Sequence, residues 1–133
     1  MKPYGFESLH VWQKSRRLIS EIYLITNTFP HEERYSLTQQ IRRAAVSVAC
    51  NIAEGSSRNS GRDQARFTEI SYGSLLEVLN LLIIATDLGF LSQKQEQTFR
   101  SEISEIGNML NKLKSYQTKE YKNQQINSSP NHQ

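Results

Sequence analysis

The sequence has few of the residues that build disulfides, zinc sites or membrane spans. Cys50 is the one cysteine among 133 residues, which excludes an internal disulfide and a cysteine cluster for zinc. No uninterrupted apolar run approaches the roughly 20 residues of a membrane-spanning helix, and the first ten residues lack the apolar segment of a signal peptide. These absences predict a cytoplasmic protein without a membrane partner, in which Cys50 is a small buried residue.

Motifs for catalysis are also missing. The sequence has no phosphate-binding loop and no dinucleotide-binding fingerprint. Glu54 and Glu77 are not followed three residues later by the histidine that di-iron bundles use. The three histidines, His10, His31 and His132, lie in or near predicted connections or the tail, out of reach of the mid-helix serines. We therefore expect no enzyme activity, no metal site and no cofactor.

Prolines and glycines are few, and several mark the ends of predicted helices. Pro30 ends the first helix, because the residue before a proline avoids the α region. Gly55 and Gly89 supply the usual stop after the second and third helices. Serines at 36, 60 and 92, each followed three residues later by Gln or Asp, predict helix starts. The predicted helices span roughly residues 9–28, 37–54, 61–88 and 92–116.

Apolar residues recur in these segments at steps of three and four, as on one face of an amphipathic helix. The seams are Val11, Leu18, Ile22, Ile25 and Phe29, with Ser15 filling the gap; Leu37, Ile41, Ala45, Val48 and Ile52; Phe67, Ser71, Ser74, Val78, Leu81 and Ala85; and Phe99, Ile103, Ile106, Leu110 and Leu113.

Four such helices with short connections predict an all-α, antiparallel up-down-up-down four-helix bundle. The bundle covers residues 9–117 and follows an extended lead-in over residues 1–8. Residues 118–133 are polar, with one aliphatic residue, and predict a disordered tail. The segment 79–85, LNLLIIA, is apolar nearly all round and therefore predicts contact with another subunit, so we expect an oligomer.

The second helix carries a further seam of small and polar residues, Gln40, Ala44, Ser47, Asn51 and Glu54. Small residues let a neighbouring helix come close, and buried polar groups need partners there. With the turn between the second and third helices centred near residue 58, Glu54 would lie near Arg62. The same register would place Glu77 beside Arg42 or Arg43.

Positive charge is concentrated in the first half of the chain and is mostly arginine. Residues 1–66 carry ten Lys/Arg and six Asp/Glu, whereas residues 67–133 carry six and seven. Arginine binds phosphate oxygens bidentately, so the clustered arginines are candidate nucleic-acid contacts. The alternative is a solvated face with ion pairs to Glu54, Asp63 and Glu69, and the sequence leaves both open. The candidates are Arg16, Arg17, Arg42, Arg43, Arg58, Arg62 and Arg66.

Four segments carry motifs that are more specific than composition: 6–18 (FESLHVWQKSRRL), 29–58, 71–77 (SYGSLLE) and 87–91 (DLGFL). Together they resemble the bacterial four-helix-bundle family of 23S ribosomal RNA intervening-sequence proteins. The patterns S-x-x-x-N-I-x-E-G and G-S-x-x-E carry most of the resemblance. They fall on Ser47, Asn51, Ile52, Glu54 and Gly55, and then on Gly73, Ser74 and Glu77.

The resemblance implies a bundle that assembles into a ring-like homopentamer, without catalytic residues, in which the motif residues are structural. A related branch, the accessory variability determinant of diversity-generating retroelements, is basic and binds nucleic acid and a reverse transcriptase. We therefore expect a non-enzymatic homo-oligomer that binds RNA or DNA through arginine-rich surfaces, with a reverse transcriptase or another protein as a further partner. The alternative is a protein-interaction scaffold that does not bind nucleic acid.

Overall fold

The computed structural model describes the backbone of residues 2–128 and the side chains of residues 2–119. Its four α-helices are α1, His10–Thr26; α2, Leu37–Ser56; α3, Gly61–Asp87; and α4, Gln93–Ser128. Short 3-10 turns at Gly5–Ser8 and His31–Glu33 precede α1 and α2. Each helix packs against the next in the chain, and α4 returns to contact α1. No β-strand occurs in the described residues, and the predicted all-α four-helix bundle is confirmed.

The predicted seams supply most of the core of the bundle; in α3, Leu75 and Leu82 are buried as well, whereas Phe67 and Ser74 of the predicted seam are half-buried. Ile22, Ile41, Val48 and Leu110 are fully buried between the helices. Ser15 is also fully buried, and its hydroxyl donates to the Val11 carbonyl at 2.7 Å, so this polar member of the α1 seam is satisfied within its own helix. The core therefore tolerates small hydroxyls where they find a backbone acceptor.

Helix α3 is more apolar than a count of uninterrupted runs indicates. By length and composition it could cross a membrane. Its Leu75, Val78 and Leu82 are, however, fully buried in the bundle. Packing in the bundle thus accounts for part of the apolar character of α3, while Ile70, Leu76 and Ile84 remain exposed.

The helix starts confirm some of the predicted caps and correct another. The backbone N–H of Ser92 donates to Gln95 Oε1 at 2.9 Å, and the N–H of Gln95 donates to Ser92 Oγ at 3.1 Å, which is the predicted capping box. Ser36 does not cap α2 with its side chain, because its hydroxyl donates to Glu33 Oε2 at 2.6 Å. The same carboxylate oxygen accepts from the N–H of Leu37 at 3.4 Å, so Glu33 takes over the capping role.

Helix α4 is longer than the sequence predicts. It continues to Ser128, so residues 118–128 of the predicted tail are helical, and residues 129–133 lie outside the described residues. Gln117 is 6% exposed, and its Oε1 accepts from Thr68 Oγ1 at 2.7 Å, which ties α4 to α3 at the point where the apolar seam ends. The lysine, glutamate and glutamines that follow Gln117 favour a helix. The first proline after Gln117 is Pro130.

Cys50 lies on the exposed side of α2, not in the core as predicted. It is preceded by Ala49, which is 8% exposed and belongs to the buried side of the helix. Adjacent residues on a helix point about 100° apart, so one residue is enough to turn from the core to solvent.

Candidate nucleic-acid interface

Arg42 on α2 is held against the end of α1. Its Nε donates to Thr26 Oγ1 at 2.9 Å, and its Nη2 donates to Asn27 Oδ1 at 2.9 Å and to the Tyr23 carbonyl at 3.4 Å. Its Cζ lies 4.5 Å from the centroid of the Tyr23 ring, within the range of a cation–π interaction. The negative end of the α1 dipole adds to the attraction. Arg42 thus ties α2 to α1 and fixes the position of the Tyr23 ring.

Arg34 and Tyr35 lie on the other side of this junction, immediately before α2. The Cζ of Arg34 lies 4.5 Å from the centroid of the Tyr35 ring, and Tyr35 is 76% exposed. In the amide orientation that satisfies both of its partners, the Gln39 side chain donates to the Tyr35 carbonyl at 3.2 Å and accepts from Arg43 Nη2 at 3.3 Å. Gln39 thereby links the tyrosine backbone to the arginine one turn further along α2.

These side chains surround one open cavity of about 650 Å³. We call it the Arg–Tyr groove and define it by the residues that line it: Tyr23, Arg34, Tyr35, Gln39, Arg42, Arg43, Val46 and Ser47.

The chemistry of the Arg–Tyr groove suits an anionic ligand with flat apolar parts. Three arginines and two tyrosines line it, and no carboxylate does. Guanidinium groups donate in a planar fork that matches phosphate or carboxylate oxygens, and tyrosine rings offer faces for stacking. The volume lies within the range of roughly 300–1,000 Å³ that is usual for ligand pockets.

The arginines of α1 lie outside this groove. Arg16 is placed over the ring of Trp12, with its Cζ 5.4 Å from the ring centroid. Arg17 lines a smaller cavity between α1 and α4 together with three glutamates, Glu21, Glu102 and Glu105. Both arginines thus have partners on their own side of the bundle.

The arginines around the connection between α2 and α3 form a separate group. Arg58 stacks over Phe67 at 4.5 Å and pairs with Glu54 at 3.9 Å. Arg62 and Arg66 are exposed on the first two turns of α3, where they share a shallow hollow with other side chains of α3 and α4. The structure therefore places two of the seven candidates, Arg42 and Arg43, in the groove and disperses the other five.

Sequence reasoning missed three of the residues that shape the groove, namely Arg34, Tyr35 and Tyr23. A signal for one of them was present. Tyr35 precedes Gln39 and Arg43 at steps of four, so the three residues fall along one side of a helix start. Arg34 lies in the short charged connection before α2, where no helical spacing relates it to the other arginines.

Residues of the small polar seam join α2 to α3. The hydroxyls of Ser47 and Ser74 share a hydrogen bond of 2.8 Å across the interface. The Asn51 amide donates to the Ser47 carbonyl at 2.8 Å and to the Ser47 hydroxyl at 3.0 Å. Ser71, fully buried, donates across the same interface to the Val48 carbonyl at 2.7 Å. These motif residues therefore link the two helices through hydrogen bonds.

Gly55 lies inside α2 and does not end it, in contrast to the prediction. A Cβ at this position would meet the Cβ of Phe67 at 2.9 Å and the Gln64 carbonyl at 3.4 Å. The glycine therefore leaves room for α3 to pack closely at this position. Helix α2 ends after Ser56, and residues 57–60 connect it to α3.

Of the remaining motif residues, Ile52 is buried in the core, whereas Glu54, Gly73 and Glu77 are on the surface. Glu54 pairs with Arg58 and not with Arg62. Glu77 is exposed and makes no ion pair in the described residues, so the predicted contact with Arg42 or Arg43 is wrong. The reason is that Arg42 turns toward α1. Gly73 is exposed on α3, and no atom lies within 4 Å of where its Cβ would be.

A second, smaller cavity of about 120 Å³ separates α1 from α4. Lys14 Nζ and Glu105 Oε1 form an ion pair of 2.7 Å at its edge. Burial, followed by a hydrogen bond to the Glu21 carboxyl and the charge of Glu21, raises the pKa of Glu102 to about 7. Arg17 acts in the opposite direction and does not cancel these effects. Helices α1 and α4 therefore meet at a glutamate, Glu102, whose pKa is raised by burial and by the neighbouring Glu21.

Candidate metal ligands do not converge in the part of the chain that the structure describes, where no group of three or more His, Cys, Asp or Glu is arranged to hold an ion. His10 and His31 are exposed at the start of α1 and in the turn before α2. His132, the third histidine, lies outside the described residues.

The fold and the groove define a small antiparallel helical bundle with one cationic, aromatic face. The family model of the 23S rRNA-intervening sequence protein matches residues 7–112. The chain belongs to this family, which confirms the resemblance carried by the Ser47–Gly55 and Gly73–Glu77 motifs.

A solved structure shows the same fold. It is the crystal structure of a protein with unknown function from the S23 ribosomal protein family of Bacteroides thetaiotaomicron. The two share a TM-score of 0.71 and 20% sequence identity, over 78% of this chain and 97% of that chain. At this identity the likeness concerns the fold alone. A search of curated proteins found no significant match.

Proposed function

We propose that this protein is a non-enzymatic, cytoplasmic bundle that binds RNA or DNA through the Arg–Tyr groove, without a cofactor. The observation that carries the proposal is the convergence of Arg34, Arg42 and Arg43 on one cavity that no carboxylate lines. Phosphate contacts of this kind are largely independent of sequence and sensitive to salt. Arg62 and Arg66, exposed at the start of α3, supply a second basic surface along which a longer strand extends.

The proposal includes a ring-like homo-oligomer. Ile70, Leu76 and Ile84 on α3 are 44%, 47% and 38% exposed, and Gly73 lies among them with open space above it. A partly apolar helix face with a glycine at its centre suits close packing against a second copy of the chain. The family resemblance makes five the expected number of subunits.

A protein scaffold is the second candidate function. Leu24 and Leu88 are 70% and 55% exposed near the end of α1 and just after α3. Large exposed aliphatic side chains favour a protein partner, such as a reverse transcriptase or another enzyme. In that case the arginines recognise acidic protein surface and the ring serves as a platform.

An electrophoretic shift titration with a structured RNA at about 50 and 200 mM salt separates the two functions. Nucleic-acid binding predicts a shift at the lower salt that weakens on the order of tenfold at the higher salt, because counterions are released from the phosphates. No shift at the lower salt would contradict the nucleic-acid proposal. Light scattering on the same samples measures the oligomer, and a mass of 15.4 kDa at micromolar concentration would contradict the ring.

A further inference from the structure

We propose that the Arg–Tyr groove accepts an unpaired nucleotide, so that the protein prefers single-stranded segments of nucleic acid whose bases stack on Tyr35. This inference rests on the proposed function and names the class of nucleic acid that the groove selects. Its basis is the pairing of exposed tyrosine rings with arginines at the same cavity.

Tyr35 has the properties of a stacking platform and lacks those of a core residue. It is 76% exposed and lies outside the hydrophobic core cluster. An aromatic ring as exposed as this one contributes little to folding. Arg34, with its Cζ 4.5 Å from the ring centroid, holds the ring through a cation–π contact and places a positive charge beside it.

Tyr23 repeats the arrangement in the same groove. It is 42% exposed, and Arg42 lies 4.5 Å from its ring centroid. Arg42 is fixed by hydrogen bonds to Thr26 and Asn27, so this second ring has a fixed neighbour. Two arginine-backed tyrosines that line one cavity provide two stacking sites, and Arg43, which lines the same cavity, provides a phosphate contact. Aromatic platforms within a cationic groove are the recurrent solution for binding single strands.

Duplex nucleic acid does not fit this arrangement equally well. In a duplex the base faces are stacked on one another, and only phosphates and groove edges are accessible. A duplex therefore contacts the arginines but not the tyrosine faces. An unpaired base uses both, and stacking on an aromatic side chain adds roughly 1–3 kcal/mol per base.

The test compares two labelled ligands of equal length by fluorescence anisotropy: a single-stranded oligouridine and a perfectly paired hairpin. The variants are Tyr35→Ala and Tyr35→Phe, with Tyr116→Ala as the matched control, since Tyr116 is 63% exposed on α4, away from the groove. We expect the wild type to prefer the single strand. Tyr35→Ala should weaken single-strand binding about fivefold or more and leave duplex binding unchanged, whereas Tyr35→Phe and Tyr116→Ala retain wild-type affinity.

The outcomes distinguish this inference from the function on which it rests. Equal affinity for both ligands, with Tyr35→Ala neutral and Arg43→Gln weakening both, would overturn the stacking site and leave the nucleic-acid proposal standing. Absence of binding to either ligand at about 50 mM salt would overturn both. A loss of helix content in Tyr35→Ala is not expected, because the side chain is outside the core; circular dichroism of each variant checks this point.

Discussion

The hydroxyl groups of Ser47 on α2 and Ser74 on α3 lie 2.8 Å apart and hydrogen-bond across the interface between the two helices. Asn51 donates to the same Ser47 hydroxyl at 3.0 Å, so that Ser47 connects its own helix to the next. Two helices that meet at small hydroxyl side chains approach closely while each polar atom keeps a partner. The family motif thus describes a helix contact, which fixes the register between α2 and α3.

The first prediction concerns this contact. Replacing Ser47, Ser74 or both by alanine should give a coupling free energy of about 0.5–1.5 kcal/mol in a double-mutant cycle, measured by urea unfolding at one fixed protein concentration. The matched control is Ser20→Ala with Ser74→Ala, because Ser20 is exposed on α1. Additive effects for Ser47 and Ser74 would show that their hydrogen bond does not contribute to stability.

Two glycines of the motif should respond in opposite ways to alanine. Gly55→Ala places a Cβ at 2.9 Å from Phe67 Cβ, which cannot move without its backbone, and should destabilise the fold by about 1–3 kcal/mol. Gly73→Ala meets nothing within the chain and should add about 0.5–1 kcal/mol of helix stability to the subunit. If Gly73 lies in a subunit interface, light scattering will show weaker assembly of this variant. A neutral Gly55→Ala would contradict the close approach of α2 and α3.

Arg42 and Arg43 are neighbours in sequence with different expected roles. Arg42→Gln removes hydrogen bonds to Thr26 and Asn27 and a cation–π contact, and should lower the free energy of unfolding by about 1–2 kcal/mol. Arg43 is exposed, so Arg43→Gln should change the free energy of unfolding by no more than about 0.5 kcal/mol. Denaturant midpoints measure both, and equal destabilisation by the two variants would refute this division of roles.

The carboxyl pair between α1 and α4 should make stability depend on pH. The pKa of Glu102 is about 7 in the folded chain against an ordinary value of 4.5, so the folded state holds more protons than the unfolded state between these values. Stability contributed by Glu102 is therefore present below about pH 4.5 and is lost as the pH rises toward 7.

Glu102→Gln removes this dependence. The free energy of unfolding of this variant should equal that of the wild type near pH 4 and exceed it by about 1 kcal/mol above pH 7. This value is smaller than the pKa shift alone gives, because solvent screens the charge of a partly exposed side chain. Thermal unfolding at both pH values provides the measurement, with Glu69→Gln as the control, since Glu69 pairs with Lys114 at 2.9 Å between α3 and α4. A difference that is the same at both pH values would argue against the raised pKa of Glu102.

Periodicity predicted the fold because burial of an apolar stripe is what determines a small helical bundle. The seams of α1 and α2, including the polar Ser15, were placed correctly from spacing alone. The helix ends were harder to predict, because they depend on competition between local groups. The Ser36 hydroxyl donates to Glu33 and does not cap α2, and Gly55 serves close packing and not helix termination.

The candidate site was predicted less completely, because it depends on which way long side chains turn. Arginines at 42 and 43 are indistinguishable in a sequence, and both line the groove, yet only Arg42 is also hydrogen-bonded to the end of α1. The register between α2 and α3 places Gly55 opposite Gln64 and Phe67, further along the chain than a turn centred at residue 58 implies. This shift does not explain the missing contact of Glu77, because the Ser47–Ser74 pair still places Glu77 level with Arg43 and Ala44. The contact fails because of side-chain direction: Arg42 turns toward α1, and Glu77 is exposed.

The central claim is that the Arg–Tyr groove binds nucleic acid, and the most direct measurement is the salt dependence of RNA affinity for paired variants. Fluorescence anisotropy titrations between about 50 and 200 mM salt give the number of phosphates neutralised from the slope of log affinity against log salt. Arg34→Gln with Arg43→Gln should weaken binding and flatten this slope by about one to two units per subunit, whereas the control Arg16→Gln with Arg100→Gln should not. Unchanged affinity and slope in the groove variant, with binding retained by the wild type, would contradict the account.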